Sequence, residues 1–243
     1  TAFNLLCVAI LMPMAPLLEK LALRVIHDAP APEHKTELDE RLLASPALAL
    51  GQCREVTMKM ADCAVQALRG SLLSVTDYTP ALAEQVRADE EVTDHYEDIL
   101  GTYLVKLSSQ TLTAADSENA TELLKAIGDF ERIADHAVNI VESAEELQSK
   151  GLTLSEAAQA DLKVLEAAVE EILDRSADAF RRGDAQAAAA VEPLEQVVDL
   201  LKEQLRTRHI LRMREGKCSI EAGFVWADLL TDLERTSDHC SNI

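Results

Sequence analysis

Apolar residues recur every three to four positions through most of this chain, which is the period of an amphipathic α-helix. No segment alternates apolar and polar residues between turn signals in the manner of a strand. One clear stripe on a single helical face consists of Val164, Leu165, Ala168, Val169, Ile172, Leu173 and Phe180. The pattern predicts long helices at residues 46–75, 80–109, 113–148, 155–182, 185–214 and 218–243.

Capping and helix-breaking residues group these helices in threes. Ser45-Pro46 reads as an N-cap followed by proline at the first helical position, and Thr113-Ala-Ala-Asp116 is a capping box. Gly151 is placed to end the third helix. The sequence therefore predicts an all-α fold of two antiparallel three-helix bundles, at residues 46–151 and 152–243.

A twelve-residue motif occurs once in the last helix of each predicted bundle. The matched residues are Asp129 and Asp232, Glu131 and Glu234, Arg132 and Arg235, Asp135 and Asp238, His136 and His239, and Asn139 and Asn242. Repetition at such a long period indicates a duplicated structural unit. Because most matched positions are polar, whereas packing alone would preserve mainly apolar ones, the duplication predicts a pair of sites.

Composition narrows the kind of ligand that such sites would bind. The chain has 243 residues, of which 48% are hydrophobic, and a formal net charge of -20. This charge repels nucleic acid and anionic lipid headgroups, so we expect neither as a ligand, whereas it attracts cations. The five cysteines include no Cys-x-x-Cys pair, which suits a reducing compartment and disfavours a disulfide framework.

Carboxylates are paired four residues apart on the middle and last helix of each predicted bundle. The pairs are Glu90 with Asp94, Glu131 with Asp135, Glu195 with Asp199, and Glu234 with Asp238. A like-charged pair at this spacing costs a helix roughly 0.2–0.5 kcal/mol, so helix stability alone does not explain four of them. If the two helices lie side by side, each bundle presents a four-carboxylate patch. The alternative is a solvated acidic face, which is common on helices.

A patch made of carboxylates favours hard or borderline cations, and we expect Mg, Mn, Fe, or Zn with help from nitrogen. His136 and His239 are the candidate nitrogen donors, although each follows its aspartate directly and points about a quarter-turn away. Arg132 could instead form an ordinary pair with Asp129. We expect the second patch to be weaker, because Lys202 and Arg206 lie near it.

No motif of a known catalytic class is present in the sequence. Glu-x-x-His, Gly-x-Ser-x-Gly, His-Glu-x-x-His and a phosphate-cradling glycine loop are all absent. We therefore predict that the chain is not an enzyme.

Residues 1–26 differ from the rest, because Ala2 to Leu18 is nearly all apolar and is followed by Lys20 and Arg24. This pattern predicts the end of a final transmembrane helix, with the basic residues on the cytoplasmic side. An amphipathic or buried soluble helix is the alternative. Residues 27–45 contain prolines and charges and predict a linker.

The duplicated motif resembles that of the PhoU family of phosphate-signalling proteins. The resemblance implies metal binding through carboxylates on two helices of each bundle, which here are Glu90, Asp94, Glu131, Asp135, Glu195, Asp199, Glu234 and Asp238. The apolar start is similar to the last membrane helix of bacterial Na⁺/phosphate cotransporters that end in a PhoU-like domain. The transport motif of those proteins is absent, so this segment would not itself carry out transport.

From both resemblances we expect the C-terminal fragment of a sodium-dependent phosphate cotransporter in the bacterial inner membrane, with a cytosolic PhoU-like domain regulating transport. Its partners would be the membrane domain of its own chain, a second copy in a homodimer, or a phosphate-signalling protein. Na⁺ and phosphate would act only through the missing transport domain. The alternative is a PhoU-type adaptor that binds a transporter or kinase. A helical spacer that binds no metal is a third reading.

Overall fold

The computed structural model describes residues 38–243, and the regular elements in this range are all helical. They are α1 (Pro46–Thr76), α2 (Pro80–Ser108), α3 (Ala114–Ser149), α4 (Glu156–Arg182), α5 (Glu192–Arg214) and α6 (Ile220–Asn242). A 3₁₀ turn, Glu40–Ala44, precedes α1, and one helical turn, Ala185–Ala188, precedes α5. The predicted all-α fold of two helical bundles is confirmed.

Local capping chemistry explains where several of these helices begin and end. The Thr113 side chain accepts a hydrogen bond from the Asp116 amide, and the Asp116 carboxylate accepts one from Thr113 in return. This completes the predicted capping box at the start of α3. At the end of α4, Gly183 has φ of 61°, a left-handed conformation that glycine adopts without steric cost.

The helix predicted at 185–214 is interrupted, and this part of the prediction is wrong. Residues Ala185–Ala188 form a separate turn, and α5 begins only at Glu192. Pro193 lies in the first turn of α5. Proline has no amide hydrogen and its ring clashes with the carbonyl four residues earlier, so a continuous helix cannot pass through this position.

The two bundles share one hydrophobic core. In the first bundle α1 packs along α2 and α3, and in the second α6 packs against α4 and α5. Helices α3 and α6, which carry the duplicated motif, also pack against each other. Phe130 of α3 and Trp226 of α6 are fully buried in this core. The fold therefore brings the two motif copies face to face.

The first described residues belong to the predicted linker and pack on the first bundle. Leu38 is buried, and the Tyr103 hydroxyl donates a hydrogen bond of 2.9 Å to the Asp39 carbonyl. The predicted transmembrane helix, residues 1–26, lies outside the described residues. Among residues 38–243, no helix is both long enough and apolar enough to cross a membrane.

Candidate metal centre

In the first bundle, α2 and α3 lie side by side as the carboxylate pattern requires. Asp94 and Glu97 of α2 and Glu131 of α3 each offer a carboxylate oxygen, and these atoms lie within 4.8 Å of one another. Glu90 and Asp135 adjoin these three and interact electrostatically with them. We call these five residues the first cluster.

The electrostatics of the first cluster reflect crowded like charges. Burial, reinforced by Asp135, raises the pKa of Glu131 to about 7, against the opposing effect of Arg132. Burial, followed by the charge of Asp94, raises the pKa of both Glu90 and Glu97. Arg132 is the fixed cation beside the cluster, with Nη1 3.2 Å from Asp135 Oδ2, but its side chain is 59% exposed. A bound cation would relieve this repulsion.

Glu97 was not among the predicted ligands, although the sequence contains a signal for it. It follows Glu90 and Asp94 at seven and three residues, so all three lie on one face of α2. The structure places a carboxylate oxygen of Glu97 within 4.8 Å of those of Asp94 and Glu131, although the i, i+4 pairs did not include Glu97.

In the second bundle, Glu195 and Asp199 of α5 and Asp238 of α6 offer carboxylate oxygens within 4.8 Å of one another. These three and Glu234 are the second cluster. Glu234 is held by Lys202, whose Nζ lies 2.7 Å from its Oε1. Burial and neighbouring carboxylates raise the pKa of Glu195 and Asp238. Arg235 stands beside Asp238 at 3.5 Å, in the way that Arg132 stands beside Asp135.

The motif histidines lie outside both clusters and join the two bundles. His136 Nδ1 is 3.0 Å from Asp232 Oδ1, and His239 Nδ1 is 2.9 Å from Asp129 Oδ1. The two imidazole rings stack on each other with centroids 5.7 Å apart. Each motif copy therefore supplies an aspartate to the histidine of the other copy, at the crossing of α3 and α6.

These contacts correct three predictions for residues of the duplicated motif. The suggested Asp129–Arg132 pair does not form, because Asp129 pairs with His239 and Arg132 lies beside Asp135. The candidate nitrogen donors His136 and His239 each contact an aspartate through Nδ1, and neither belongs to a close group of three carboxylates. Arg206 pairs with Glu203 at 3.9 Å and is largely exposed, so it is not part of the second cluster.

The motif asparagines also lie at the edges of the arrangement. Asn139 Nδ2 is 3.5 Å from Asp232 Oδ1, beside the histidine contact. Asn242 is the last residue of α6 and lines a cavity of about 650 Å³ together with Arg54 and Phe180.

The donor atoms of both clusters fit a hard cation. Each close group of three consists of carboxylates alone, contributed by two helices and partly open to solvent. In the second cluster, Glu234 Oε2 is buried and makes no hydrogen bond. Buried carboxylate oxygens without donors are costly unless a cation or proton compensates them. Such oxygen-only sets suit Mg²⁺, Mn²⁺ or iron better than zinc, which prefers some nitrogen or sulfur.

Comparison with known proteins identifies the same duplication. The family described as "PhoU domain" matches residues 57–144 and 162–243. The "Phosphate-specific transport system accessory protein PhoU homolog 1" of Thermotoga maritima is 28% identical over 121 residues, which are 50% of this chain and 51% of that protein. The PhoU homologue of Pseudomonas aeruginosa is 25% identical over 197 residues, 80% of each chain.

Solved structures share the fold. The crystal structure of PhoU from Pseudomonas aeruginosa superposes with a TM-score of 0.75 and 24% identity, covering 79% of this chain and 92% of that one. PhoU from Streptococcus pneumoniae, described as a phosphate transport system regulatory protein, gives 0.72 and 18% identity, covering 82% of this chain and 92% of that one. At these identities the likeness establishes the fold.

The relatives overturn two predictions made from the apolar start of the sequence. They are phosphate-specific transport system accessory proteins, so the prediction of a sodium-dependent phosphate cotransporter fragment is wrong. The predicted inner-membrane location is wrong on the same finding. The membrane domain of its own chain, with Na⁺ and phosphate acting through it, is likewise unsupported as a partner. The description of the relatives as accessory proteins agrees with the prediction that the chain is not an enzyme.

Proposed function

This chain belongs to the PhoU domain family, and from that premise we propose that it is a metal-binding adaptor in phosphate signalling. In this role it binds a transporter or kinase partner and reports phosphate status to it. Its relatives are described as accessory and regulatory proteins of phosphate transport, which supports this proposal.

The observation that carries the proposal is the pair of carboxylate clusters at matching places in the two bundles. Each gathers acids from two neighbouring helices within 4.8 Å, although like charges at this distance repel. An adaptor that needed only a stable helical surface would gain nothing from such crowding. Cations bound at both clusters would offset the repulsion and tie α2 to α3 and α5 to α6.

We expect the bound ions to be Mn²⁺, Mg²⁺ or iron, because the grouped donors are carboxylate oxygens. When bound, such an ion supplies positive charge that the surrounding acids share. The protein's own residues hold the site: the glutamates and aspartates act as ligands, while Arg132 and Arg235 neutralise the outer side of Asp135 and Asp238. Zinc is the least suited of the four metals considered, since neither close group of three contains a nitrogen or sulfur donor.

Elemental analysis of the purified chain tests the metal part of the proposal. We expect the wild type to retain metal through gel filtration. A variant carrying Glu131→Gln, Asp135→Asn, Glu234→Gln and Asp238→Asn should lose it while remaining helical. The control carries Glu55→Gln, Glu84→Gln, Glu118→Gln and Glu122→Gln, four exposed acids outside the clusters, and should retain metal. Equal loss in both variants, or no metal in the wild type, would refute metal binding at these sites.

A complementation experiment tests the adaptor part. The chain is expressed in a bacterium that lacks its own PhoU protein, and phosphate uptake and a phosphate-responsive reporter are measured at high and low phosphate. We expect the wild type to restore the phosphate response and the cluster variant to restore it incompletely. Failure of both, with the folded protein present, would argue against an adaptor function in that host.

A further inference from the structure

The two clusters differ at one position that their alignment makes visible. The carboxylate pairs of α2 and α5 correspond with an offset of 105 residues, which matches Glu90 with Glu195 and Asp94 with Asp199. The same offset matches Glu97 with Lys202. A carboxylate that belongs to the first cluster is therefore replaced by an ammonium group in the second.

The structure gives these matched residues the same neighbour. Glu97 groups with Glu131 on α3, and Lys202 contacts Glu234, which is the counterpart of Glu131 on α6. The Lys202 Nζ to Glu234 Oε1 distance is 2.7 Å, and the side chains are 21% and 14% exposed. A half-buried ion pair of this kind is screened much less by solvent than a surface pair. Lys202 is thus a fixed cation at the place where the first cluster carries a further acid.

The Lys202–Glu234 ion pair changes which carboxylates lie close together. The close group of three in the first bundle includes Glu131, whereas that in the second consists of Glu195, Asp199 and Asp238 and leaves out Glu234. Arg206, one turn after Lys202, is exposed and pairs with Glu203. Among the cluster residues themselves, the charge difference is therefore the replacement of Glu97 by Lys202, while beside them Glu91 is matched with the uncharged Gln196.

We propose that Lys202 is a built-in counter-cation that occupies part of the second cluster, so that the chain has one strong and one weak metal site. This inference rests on the proposed metal binding and specifies how metal affinity differs between the two bundles. The first cluster fills at low metal concentration. The second cluster has one acid fewer, and the ammonium group of Lys202 lies beside Glu234. It therefore fills only at a higher metal concentration. The chain then responds to metal over two concentration ranges instead of one.

Titration of the full chain with Mn²⁺, followed by the electron paramagnetic resonance signal of the free ion, tests this proposal. In the wild type we expect two classes of site whose affinities differ about tenfold or more, a gap of about 1.4 kcal/mol or larger. Glu131→Gln with Asp135→Asn should remove the strong class. Glu234→Gln with Asp238→Asn should remove the weak one.

Lys202→Glu, introduced into the chain that already carries Glu131→Gln and Asp135→Asn, gives the decisive comparison. We expect it to strengthen the remaining class about tenfold, and Lys202→Gln to strengthen it by less. Arg206→Glu makes the same change of charge one turn away and should alter the affinity less than about threefold. The reciprocal change, Glu97→Lys in the wild type, should weaken the strong class, whereas Glu84→Lys on the exposed part of α2 should not.

The outcomes distinguish failure of the proposed metal binding from failure of the proposed role of Lys202. Absence of Mn²⁺ binding in the wild type and in every variant would overturn the proposed metal role, and this inference with it. Binding in the wild type that Lys202→Glu and Lys202→Gln leave unchanged would overturn the inference alone. So would an equal gain from Lys202→Glu and Arg206→Glu, because the effect would then come from net charge. If Lys202→Glu does not fold, Lys202→Gln decides the question by itself.

Discussion

At the scale of single residues, Glu166 of α4 is a half-buried acid outside both clusters. Its Oε1 atom is buried and makes no hydrogen bond. Burial raises its pKa from 4.5 to about 7, Glu170 adds to the effect, and Lys163 opposes it. The folded state therefore favours the protonated carboxyl, whereas the unfolded chain ionises it at ordinary acidic pH.

The sign of the pH dependence follows from this shift. Below about pH 4.5 the Glu166 carboxyl is protonated in both the folded and the unfolded state, so it does not lower the free energy of unfolding. As pH rises towards 7 the unfolded state loses the proton first, so the free energy of unfolding falls, and above pH 7 the loss is complete. We expect Glu166→Gln, which cannot ionise, to raise the free energy of unfolding at pH 8 by about 1–2 kcal/mol, allowing for partial solvent screening.

Urea denaturation of the wild type and Glu166→Gln at several pH values measures this difference. The gain should shrink towards zero as the pH falls to 4.5. Glu122→Gln is the control, because Glu122 is an exposed glutamate on a different helix, α3, whereas the charge of Glu170 acts directly on Glu166. A gain that does not depend on pH, or that the control reproduces, would contradict the assignment of the cost to burial of Glu166.

At the scale of helices, α1 packs closely against α2 at Gly70. A Cβ atom at this position would lie 2.8 Å from Val86 Cγ2. Valine has few accessible rotamers, so it cannot easily move aside. We expect Gly70→Ala to lower the free energy of unfolding by about 1 kcal/mol, because overpacking outweighs the better helix propensity of alanine.

Gly51, also in α1, is the control position, and thermal unfolding of the Gly70→Ala and Gly51→Ala variants measures the difference in stability. A Cβ atom there would have nothing within 4 Å, so Gly51→Ala should stabilise the chain by up to about 1 kcal/mol. Adding Val86→Ala to Gly70→Ala should relieve the close contact and make the two changes less costly together than their sum. If both glycine replacements stabilise equally, the tight packing of α1 on α2 is not a constraint.

The helices themselves could be predicted to within a few residues wherever capping residues mark their ends. Thr113 with Asp116 marks the start of α3, and Gly151, which has φ of 61°, follows its last residue, Ser149, by two positions. The error came at Pro193, where the periodicity of the apolar residues continues across a proline that the backbone cannot accommodate inside a helix. Periodicity reports which face is buried, but it does not report whether the backbone is continuous.

The carboxylate pairs could be recognised because residues four apart share a helix face. The ion pair of Lys202 with Glu234 and the placement of Glu97 beside Glu131 could not, since they depend on how two helices are aligned against each other. A weaker second patch was predicted from the nearby Lys202 and Arg206. Which of the two acts on the cluster required the packing of α5 against α6, which places Lys202 beside Glu234 while Arg206 pairs with Glu203.

At the scale of the described molecule, the duplicated motif has two tasks. Its glutamate and second aspartate belong to the clusters, while its first aspartate and histidine join the bundles through His136 with Asp232 and His239 with Asp129. The matched polar residues were predicted to form a pair of sites. Their second task could not be predicted, because each contact joins residues about a hundred positions apart, between one copy of the motif and the other.

The reciprocal contacts predict that the two bundles stabilise each other through equivalent pairs. Replacing Asp129 with alanine leaves His239 Nδ1 without its acceptor in a half-buried position, and replacing Asp232 does the same to His136. We expect each change to lower the free energy of unfolding by about 1–3 kcal/mol, measured by urea denaturation in EDTA so that bound metal does not contribute. A double-mutant cycle should show coupling between Asp129→Ala and His239→Ala.

The control cycle combines Asp129→Ala with Glu118→Ala, an exposed position on the same helix, and should be additive. Additivity in the Asp129 and His239 cycle would mean that the contact contributes no stability of its own. Similar coupling in both reciprocal pairs would instead place the junction of α3 and α6 at the centre of the fold's approximate symmetry.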